Sequence, residues 1–468
     1  MTLKLFNTLS KKIEEFQPIK KGEVSFYACG PTVYWYQHIG NLRTYISEDI
    51  LKRTFLYNGL KVKHIINVTD VGHLTSDADE GEDKLVKALK REGLPMTKEA
   101  MLQLADKYFK EFVEDFSRLN ILEPDVWCKA TEHVKEMIEL IKKIETNGYT
   151  YKTSVGLIFD TEKFKDYANL ARLNLDELEQ GARTKIDAER KNSSDFALWV
   201  TNQPNHIMLW DSPWGQGFPG WHIECSAMSI KYLGEQFDIH CGGKEHVPVH
   251  HTNEIAQSES ATGKKPWVKY WFHTEWLGMK DVKMSKSKGD IIIISGLIEK
   301  GYDPLDYRYF CLQAHYKTPL TFSFEALDAA KTAYKRLKNK IIEIKNNLES
   351  KNKEKLKEYQ DKFFTHINND LDTPQALALL WDMIKDKDIG NKEKYELTLK
   401  FDKVLGLKLD KTKEEKVEIP EEIQKLIEER QTAKDNKDWT KSDELRNKIK
   451  DAGFIIKDTK EGPILTKR

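Results

Sequence analysis

The sequence predicts an α/β fold: a doubly wound parallel sheet carrying an insertion, followed by a helical region and a small α+β module. Three observations predict it. The run "EVSFYACG" (Glu23 to Gly30) is short and β-prone, "KVKHIINVTD" is a second β-rich run ending in polar residues, and between them Leu42, Ile46 and Ile50 recur at helical spacing. Strand, loop, helix, strand is a βαβ unit, which requires a parallel sheet with its ligand crevice at the carboxyl ends of the strands. Cys29, His38 and Thr69 fall at such ends.

The elements follow in order. The first helix should stop at Asn58-Gly59, a favourable C-terminal pair. From about Asp79 to Thr146 the chain is charged and helix-prone, and Tyr149 to Asp160 reads as a hairpin, as expected of an insertion between two halves of a sheet. The second half begins near Ser194 and includes "FDIHCGG" (Phe237 to Gly243), another strand ending in small and polar residues. Beyond Phe324 strand signals fade and charged helical stretches run from Glu325 to about Leu405. A linker, Leu409 to Pro420, precedes two helices and a hairpin from Phe454 to Thr466.

Composition narrows the function classes. The 468 residues carry zero formal net charge with 32% charged side chains, so contact with nucleic acid has to rest on local patches. Five scattered cysteines lack the spacing of a disulfide framework and point to a reducing compartment. The N-terminal stretch lacks the apolar core of a signal peptide, and no apolar run approaches the roughly 20 residues of a membrane span. The expectation is a cytoplasmic protein with no membrane partner.

Two short motifs carry chemistry. In "HIGN" (His38 to Asn41), at a strand-to-helix junction, unpaired backbone N–H groups favour anionic oxygen, Gly40 permits close approach, and His38 can donate to a phosphoryl oxygen. In "KMSKSKGDI" (Lys283 to Ile291), two lysines three apart, two hydroxyl residues and Gly289 make a loop able to hold a polyphosphate. More than 200 residues separate the motifs, yet both fall at the carboxyl edge of the sheet, where they could grip one triphosphate from two sides.

Together these motifs resemble the class I aminoacyl-tRNA synthetases, which carry ATP on a Rossmann-type domain. The segments "YACGPTVYWYQHIGN", "WDSPWGQGFPGWHIECSAMS" and "VHHTNEIAQSES" closely resemble the cysteinyl-tRNA synthetases, and the resemblance runs from "LKLFNT" to "KDWTKSDELRNKI". It implies an ATP-dependent ligation of L-cysteine to tRNA-Cys through a cysteinyl-adenylate, with Mg-ATP as substrate and a monomeric chain. The implied division is 1–120 and 194–275 for the halves of the Rossmann-type catalytic domain, 121–193 for the connective insertion, 276–324 for the signature-loop region, 325–408 for the helical bundle and 421–468 for the anticodon-binding module.

The same resemblance implies one zinc ion per subunit on Cys29, Cys225, His250 and Glu254. His250 and Glu254 are four apart in a helix-prone stretch and share a face, and two sulfurs, an imidazole and a carboxylate are zinc-type ligands. Cysteine differs from serine by one atom, which an apolar pocket separates by only about 10- to 200-fold, whereas a metal that takes the substrate thiolate can separate them without editing. The implied ATP contacts are Thr32, His38, Gly40, Asn41, Lys283, Met284, Ser285, Lys286 and Ser287, with His38, Asn41, Lys283 and Lys286 catalytic. Gly30, Thr69, Trp221 and Glu245 would line the amino-acid pocket, with His222 and His240 nearby. Glu245 stands where the family has aspartate, Cys241 where glycine is common and Asp290 where asparagine is usual.

In the tail, Thr440 reads as an N-cap with Asp443 at the capping-box position and Gly453 as the stop. By resemblance Trp439, Asp443 and Asp458 contact anticodon bases; a tryptophan filling a small core is the plain alternative. Two rival functions share the catalytic half: a ligase that passes cysteine to a small amine, as in mycothiol synthesis, and a catalytically silent RNA-binding paralogue.

Overall fold

The computed structural model describes residues 2–71, 83–172, 189–203, 206–280, 291–351, 354–413, 420–459 and 462–467. They form two compact units, 1–410 and 411–468.

A five-stranded parallel sheet, in the order Val268–Thr274, Phe237–Gly243, Glu23–Ala28, Lys61–Val68, Val126–Lys129, centres the first unit. Sequence order runs outward in both directions from Glu23–Ala28, so the winding reverses between this strand and Phe237–Gly243. Such a switch point leaves a crevice at the carboxyl ends. Alternate residues of the first strand supply two cores. Phe26 and Ala28 pack with Leu42, Ile46 and Ile50 of helix Ile39–Tyr57. Tyr27 faces the opposite cluster, with Ile223, Met228, Ala256 and Trp271. The first helix ends at Asn58, with Gly59 at φ +78°, as its Asn-Gly pair predicts.

The insertion departs from its expected limits. Val126–Lys129 pairs with Lys61–Val68 and so belongs to the central sheet, not to an insertion starting at 121. The hairpin Thr150–Thr153 and Gly156–Phe159 continues through Phe196–Thr201 to Gly217–Pro219 as a separate antiparallel sheet. The return to the central sheet therefore comes with helix Trp221–Leu233 rather than at 194. Pairing between segments more than 35 residues apart decides these limits, and local pattern does not carry it.

Four helices, Phe324–Asn346, Glu354–Asn368, Thr373–Lys385 and Asn391–Leu405, follow the catalytic sheet. A buried hub locks them to it. Asp49 accepts from Arg53 Nε at 2.7 Å, Arg308 Nη2 at 2.5 Å and the Leu122 N–H at 2.8 Å. Arg308 donates onward to the Leu405 and Leu119 carbonyls at 2.8 and 3.1 Å. Gly406, at φ +65°, closes the last helix, and a Cβ there would lie 2.5 Å from Arg308 Nη2.

In the second unit, helices Glu421–Asp435 and Trp439–Asp451 pack with the hairpin Phe454–Thr459 and Gly462–Lys467 around Ile423, Ile427, Ile449, Phe454, Ile456 and Leu465. The N-cap of the second helix is Asp438, not Thr440: its carboxylate accepts the Lys441 N–H at 3.1 Å, so the helix starts two residues earlier than the capping-box reading placed it. Gly453 sits just past the end at φ +86°.

Candidate active site

In the first unit the candidate residues gather toward the carboxyl ends of the sheet strands. Cys29 and Gly30 follow the first strand, Thr69 the next, Glu245 follows Phe237–Gly243, and helix His250–Thr262 carries His250 and Glu254. Cys225 lies inside helix Trp221–Leu233, one turn past Trp221.

Cys29, Cys225, His250 and Glu254 are all buried, and one ligand atom from each lies within 4.8 Å of the others. The sulfurs are 3.9 Å apart, and His250 Nε2 is 3.1 Å from Glu254 Oε1. The remaining atoms of these side chains are held from outside: His250 Nδ1 meets His222 Nδ1 at 2.8 Å, and Glu254 Oε2 meets His240 Nε2 at 2.8 Å. One nitrogen and one oxygen are thus left facing the sulfurs, the arrangement by which outer hydrogen bonds orient metal ligands. The donor set, two soft sulfurs with an imidazole and a carboxylate, suits a zinc-type cation.

Electrostatics within the chain follow the same grouping. Burial alone would raise the Glu254 carboxyl, but His240 and His250 hold it down at about 2. Burial would likewise lower His250, yet Cys225 and Glu254 push it up to about 10. Burial favours a neutral Cys225, but hydrogen bonds from Cys29 and His250 reverse this and lower its thiol. Cys29, buried and beside that sulfur, is pushed well up. The contacts that group these side chains therefore lower the Cys225 thiol and the Glu254 carboxyl and raise the His250 imidazole.

Sequence reasoning placed His222 and His240 nearby but missed His251 and His273, which extend the outer layer. His251 Nε2 lies 3.2 Å from Cys29 Sγ, its Nδ1 meets His273 Nε2 at 2.7 Å, and His273 Nδ1 meets Thr8 Oγ1 at 2.7 Å. Cys29, His240, His251 and Glu254 form a second group of the same tightness, with one sulfur instead of two. Only the adjacent histidines of "VHH" hint at this; the rest needs the fold. Gly242 makes room for it, since a Cβ there would meet His246 Nδ1 at 2.7 Å and the His251 ring at 2.8 Å.

Around the cluster, Gly30 cannot be any other residue: its Cβ would sit 1.6 Å from the Asn67 carbonyl oxygen, and its N–H donates to Asn67 Oδ1 at 2.7 Å. Thr69 Oγ1 donates to Glu224 Oε2 at 2.9 Å, and Thr32 bridges to Thr69. Trp221 is half-buried, its ring 5.2 Å from that of His250. Glu245 is exposed and folds back over Gly243. Cys241 is a packed core thiol.

At the "HIGN" segment His38 caps helix Ile39–Tyr57, its Nδ1 accepting the Asn41 N–H at 3.2 Å. In a neutral ring this puts the proton on Nε2, as a donor. Gly40 lets the ring lie there, because a Cβ would be 3.0 Å from it. Asn41 Nδ2 donates to Gln37 Oε1 at 2.6 Å. Lys283, Met284, Ser285, Lys286, Ser287, Gly289 and Asp290 lie outside the described residues. The residues flanking them do bear on the site: the Ile39 N–H donates to the Ile292 carbonyl at 2.9 Å, and buried Arg43 donates to the Trp276 carbonyl at 2.7 Å.

In the second unit Trp439 is 61% exposed at the first helical position, which removes the core-filling alternative. Asp443 is exposed, with Arg446 at 3.9 Å. Asp458 already holds Arg430 in a bidentate pair at 2.9 and 2.8 Å, with Lys434 and Arg446 each at 3.0 Å.

Comparison with known proteins agrees with this geometry. Residues 15–332 match the family of class I (C) tRNA synthetase catalytic domains, and residues 416–462 match the cysteinyl-tRNA ligase anticodon binding domain. A cysteine–tRNA ligase of Treponema denticola is 49% identical over 98% of each chain. One from Burkholderia lata is 45% identical over 99% of this chain and 96% of its own, and one from Borrelia turicatae is 42% identical over 99% of both. Methionyl-tRNA synthetase of Mycobacterium tuberculosis shares the fold at a TM-score of 0.57 with 14% identity, covering 82% of this chain and 88% of its own. The parallel sheet with its switch-point crevice, the capped "HIGN" helix and matches along nearly the whole length agree: the chain belongs to the class I tRNA synthetases, in the cysteine–tRNA ligase family.

Proposed function

We propose that the chain ligates L-cysteine to tRNA-Cys in two steps, using Mg-ATP and a cysteinyl-adenylate. The observation that carries this reading is the buried Cys29, Cys225, His250 and Glu254 cluster at the sheet edge that also presents His38 and the helix start. One zinc ion per subunit would be held by these four side chains; when bound, it supplies a Lewis acid that takes the substrate sulfur as a thiolate, a bond the serine hydroxyl cannot match.

The chain's own groups supply the rest. His38 Nε2 and the backbone N–H groups of Ile39–Tyr57 face developing phosphate charge, and Lys283 and Lys286 neutralise the triphosphate as the cysteine carboxylate attacks the α-phosphorus and pyrophosphate leaves. Thr32, Gly40, Asn41, Met284, Ser285 and Ser287 complete the ATP site. Thr69 and Trp221 wall the amino acid, Gly30 keeps the strand end close to Asn67, and Glu245 attracts the ammonium group from the rim. A ribose hydroxyl at the tRNA 3′ end then attacks the acyl-adenylate. Trp439, Asp443 and Asp458 make the anticodon surface, with Trp439 stacking on an unpaired base. A monomer working in the cytoplasm fits this chemistry. The matched anticodon-binding segment weighs against a ligase for small amines, which needs no such module.

Charging of a tRNA-Cys transcript with labelled cysteine, beside serine and a tRNA of another specificity, tests the reading. Cysteine-only, tRNA-Cys-only product is expected. Pyrophosphate exchange without charging points instead to a small-amine acceptor, and neither activity to an RNA-binding role. Cys225→Ser should lose bound zinc and cysteine activation together, each by roughly 100-fold or more, since even outer-shell changes cost 10- to 100-fold. A variant that activates cysteine normally without metal overturns the site.

A further inference from the structure

We infer that Trp276 is a stacking platform for an adenine ring at the catalytic edge. The inference rests on the ligase reading above and assigns a residue to it. Of the eleven tryptophans, two are exposed: Trp439 at 61% and Trp276 at 55%. Trp276 follows the edge strand Val268–Thr274, at the carboxyl end of the sheet.

Its backbone is fixed from three sides. The Glu275 N–H donates to the Tyr316 carbonyl at 2.9 Å, the Trp276 carbonyl accepts from the Leu320 N–H at 3.1 Å, and Arg43 Nη1 donates to the carbonyls of both Glu275 and Trp276 at 2.9 and 2.7 Å. The ring has one cation beside it. Lys244 Nζ lies 5.2 Å from its centroid and is itself ion-paired to Glu275. A large aromatic side chain left more than half exposed on a rigid backbone, with an ammonium group on part of one face, is set to receive a flat π-system at little entropic cost.

The neighbourhood selects the ligand. Leu277, next in the chain, lies 3.8 Å from where a Cβ on Gly40 would stand, and Arg43 of the same helix holds the Trp276 carbonyl, so the backbone of Trp276 lies beside the helix start that favours phosphate. A flat ring beside an anion site is the shape of a nucleotide, and base–aromatic stacking tolerates any base. Two adenines visit this edge in the ligase reading: that of ATP and that of the tRNA 3′-terminal adenosine.

The test uses the full chain with Trp276→Ala and Trp276→Phe, assayed for cysteine-dependent pyrophosphate exchange and for tRNA charging. If the adenine belongs to ATP, the alanine variant raises the KM for ATP in exchange by about tenfold, the weight of one base–aromatic stack. If it belongs to the tRNA, exchange stays normal and the KM for tRNA rises by a similar factor. In both cases Trp276→Phe stays near wild type, which a bulk structural role does not predict, and the melting temperature of each variant is unchanged. An alanine variant with both KM values within about twofold of wild type overturns the inference while wild-type activity upholds the ligase reading; a wild-type chain inactive in both assays overturns both.

Discussion

Asp49 and Asp458 are each an aspartate ringed by cations, and the molecule uses them in opposite ways. The Asp49 side chain is fully buried and its partners Arg53 and Arg308 spend their remaining donors on backbone carbonyls. The Asp458 side chain is 34% exposed, and Arg446, one of its cations, is 46% exposed. Burial turns the first into a lock, because any charge left unpaired there has no water to turn to. The second reaches solvent: Arg430, its side chain only 3% exposed, holds Asp458 in a bidentate pair, while the more exposed Lys434 and Arg446 can exchange partners at small cost.

The largest break in this comparison is Asp49→Ala. Stranding Arg308 and Arg53 should cost about 3–5 kcal/mol of stability, the usual result of removing one partner of a buried pair. Chemical denaturation checks it, and a loss below about 1 kcal/mol would mean the hub is solvated. A pH series sharpens the same point. Burial alone would raise the Asp49 carboxyl, but Arg308 and Arg53 hold it below its ordinary value, and Arg430 does the same for Asp458. A depressed carboxylate stabilises the fold above its unfolded value of about 3.9 and loses that contribution as pH falls through the folded value. The wild type should therefore lose stability steeply below about pH 4, and Asp49→Ala should show a shallower acid limb in melts from pH 5 down to 3.

On the exposed side, Trp439→Ala should raise the KM for tRNA about tenfold, the size of one lost stack, with pyrophosphate exchange unchanged. An effect on exchange would show that the residue acts through the fold. The smallest effect expected is Arg446→Ala on the stability of the second unit, about 0.2–1 kcal/mol and shrinking with added salt, because its side chain is 46% exposed and Asp458 keeps Arg430 and Lys434. A salt-independent loss of several kcal/mol would place Asp458 with Asp49 after all.

What could be read from the sequence divides along the same line between local and long-range order. The helix of Leu42, Ile46 and Ile50 and its Asn-Gly stop are local, and both were legible. So was the shared face of His250 and Glu254, although joining them to Cys29 and Cys225 needed the family resemblance. The histidine layer was not legible, because His251, His273 and Thr8 meet only through tertiary packing. The limits of the insertion escaped for the same reason, Val126–Lys129 being claimed by a strand whose paired residues stand 61 positions earlier. At Asp438, two residues before the expected cap, either side chain had the right chemistry, and a carboxylate reaching the Lys441 N–H decided between them.

Arg308 also sets where the chain can be cut. Its Nε–H donates to the Leu405 carbonyl, at the last turn of the helical bundle, so a fragment that stops at the end of the sheet region leaves that buried donor without its acceptor. Catalytic sheet and bundle are in this sense one inheritance unit, whereas a break near residue 411 falls between two separate cores.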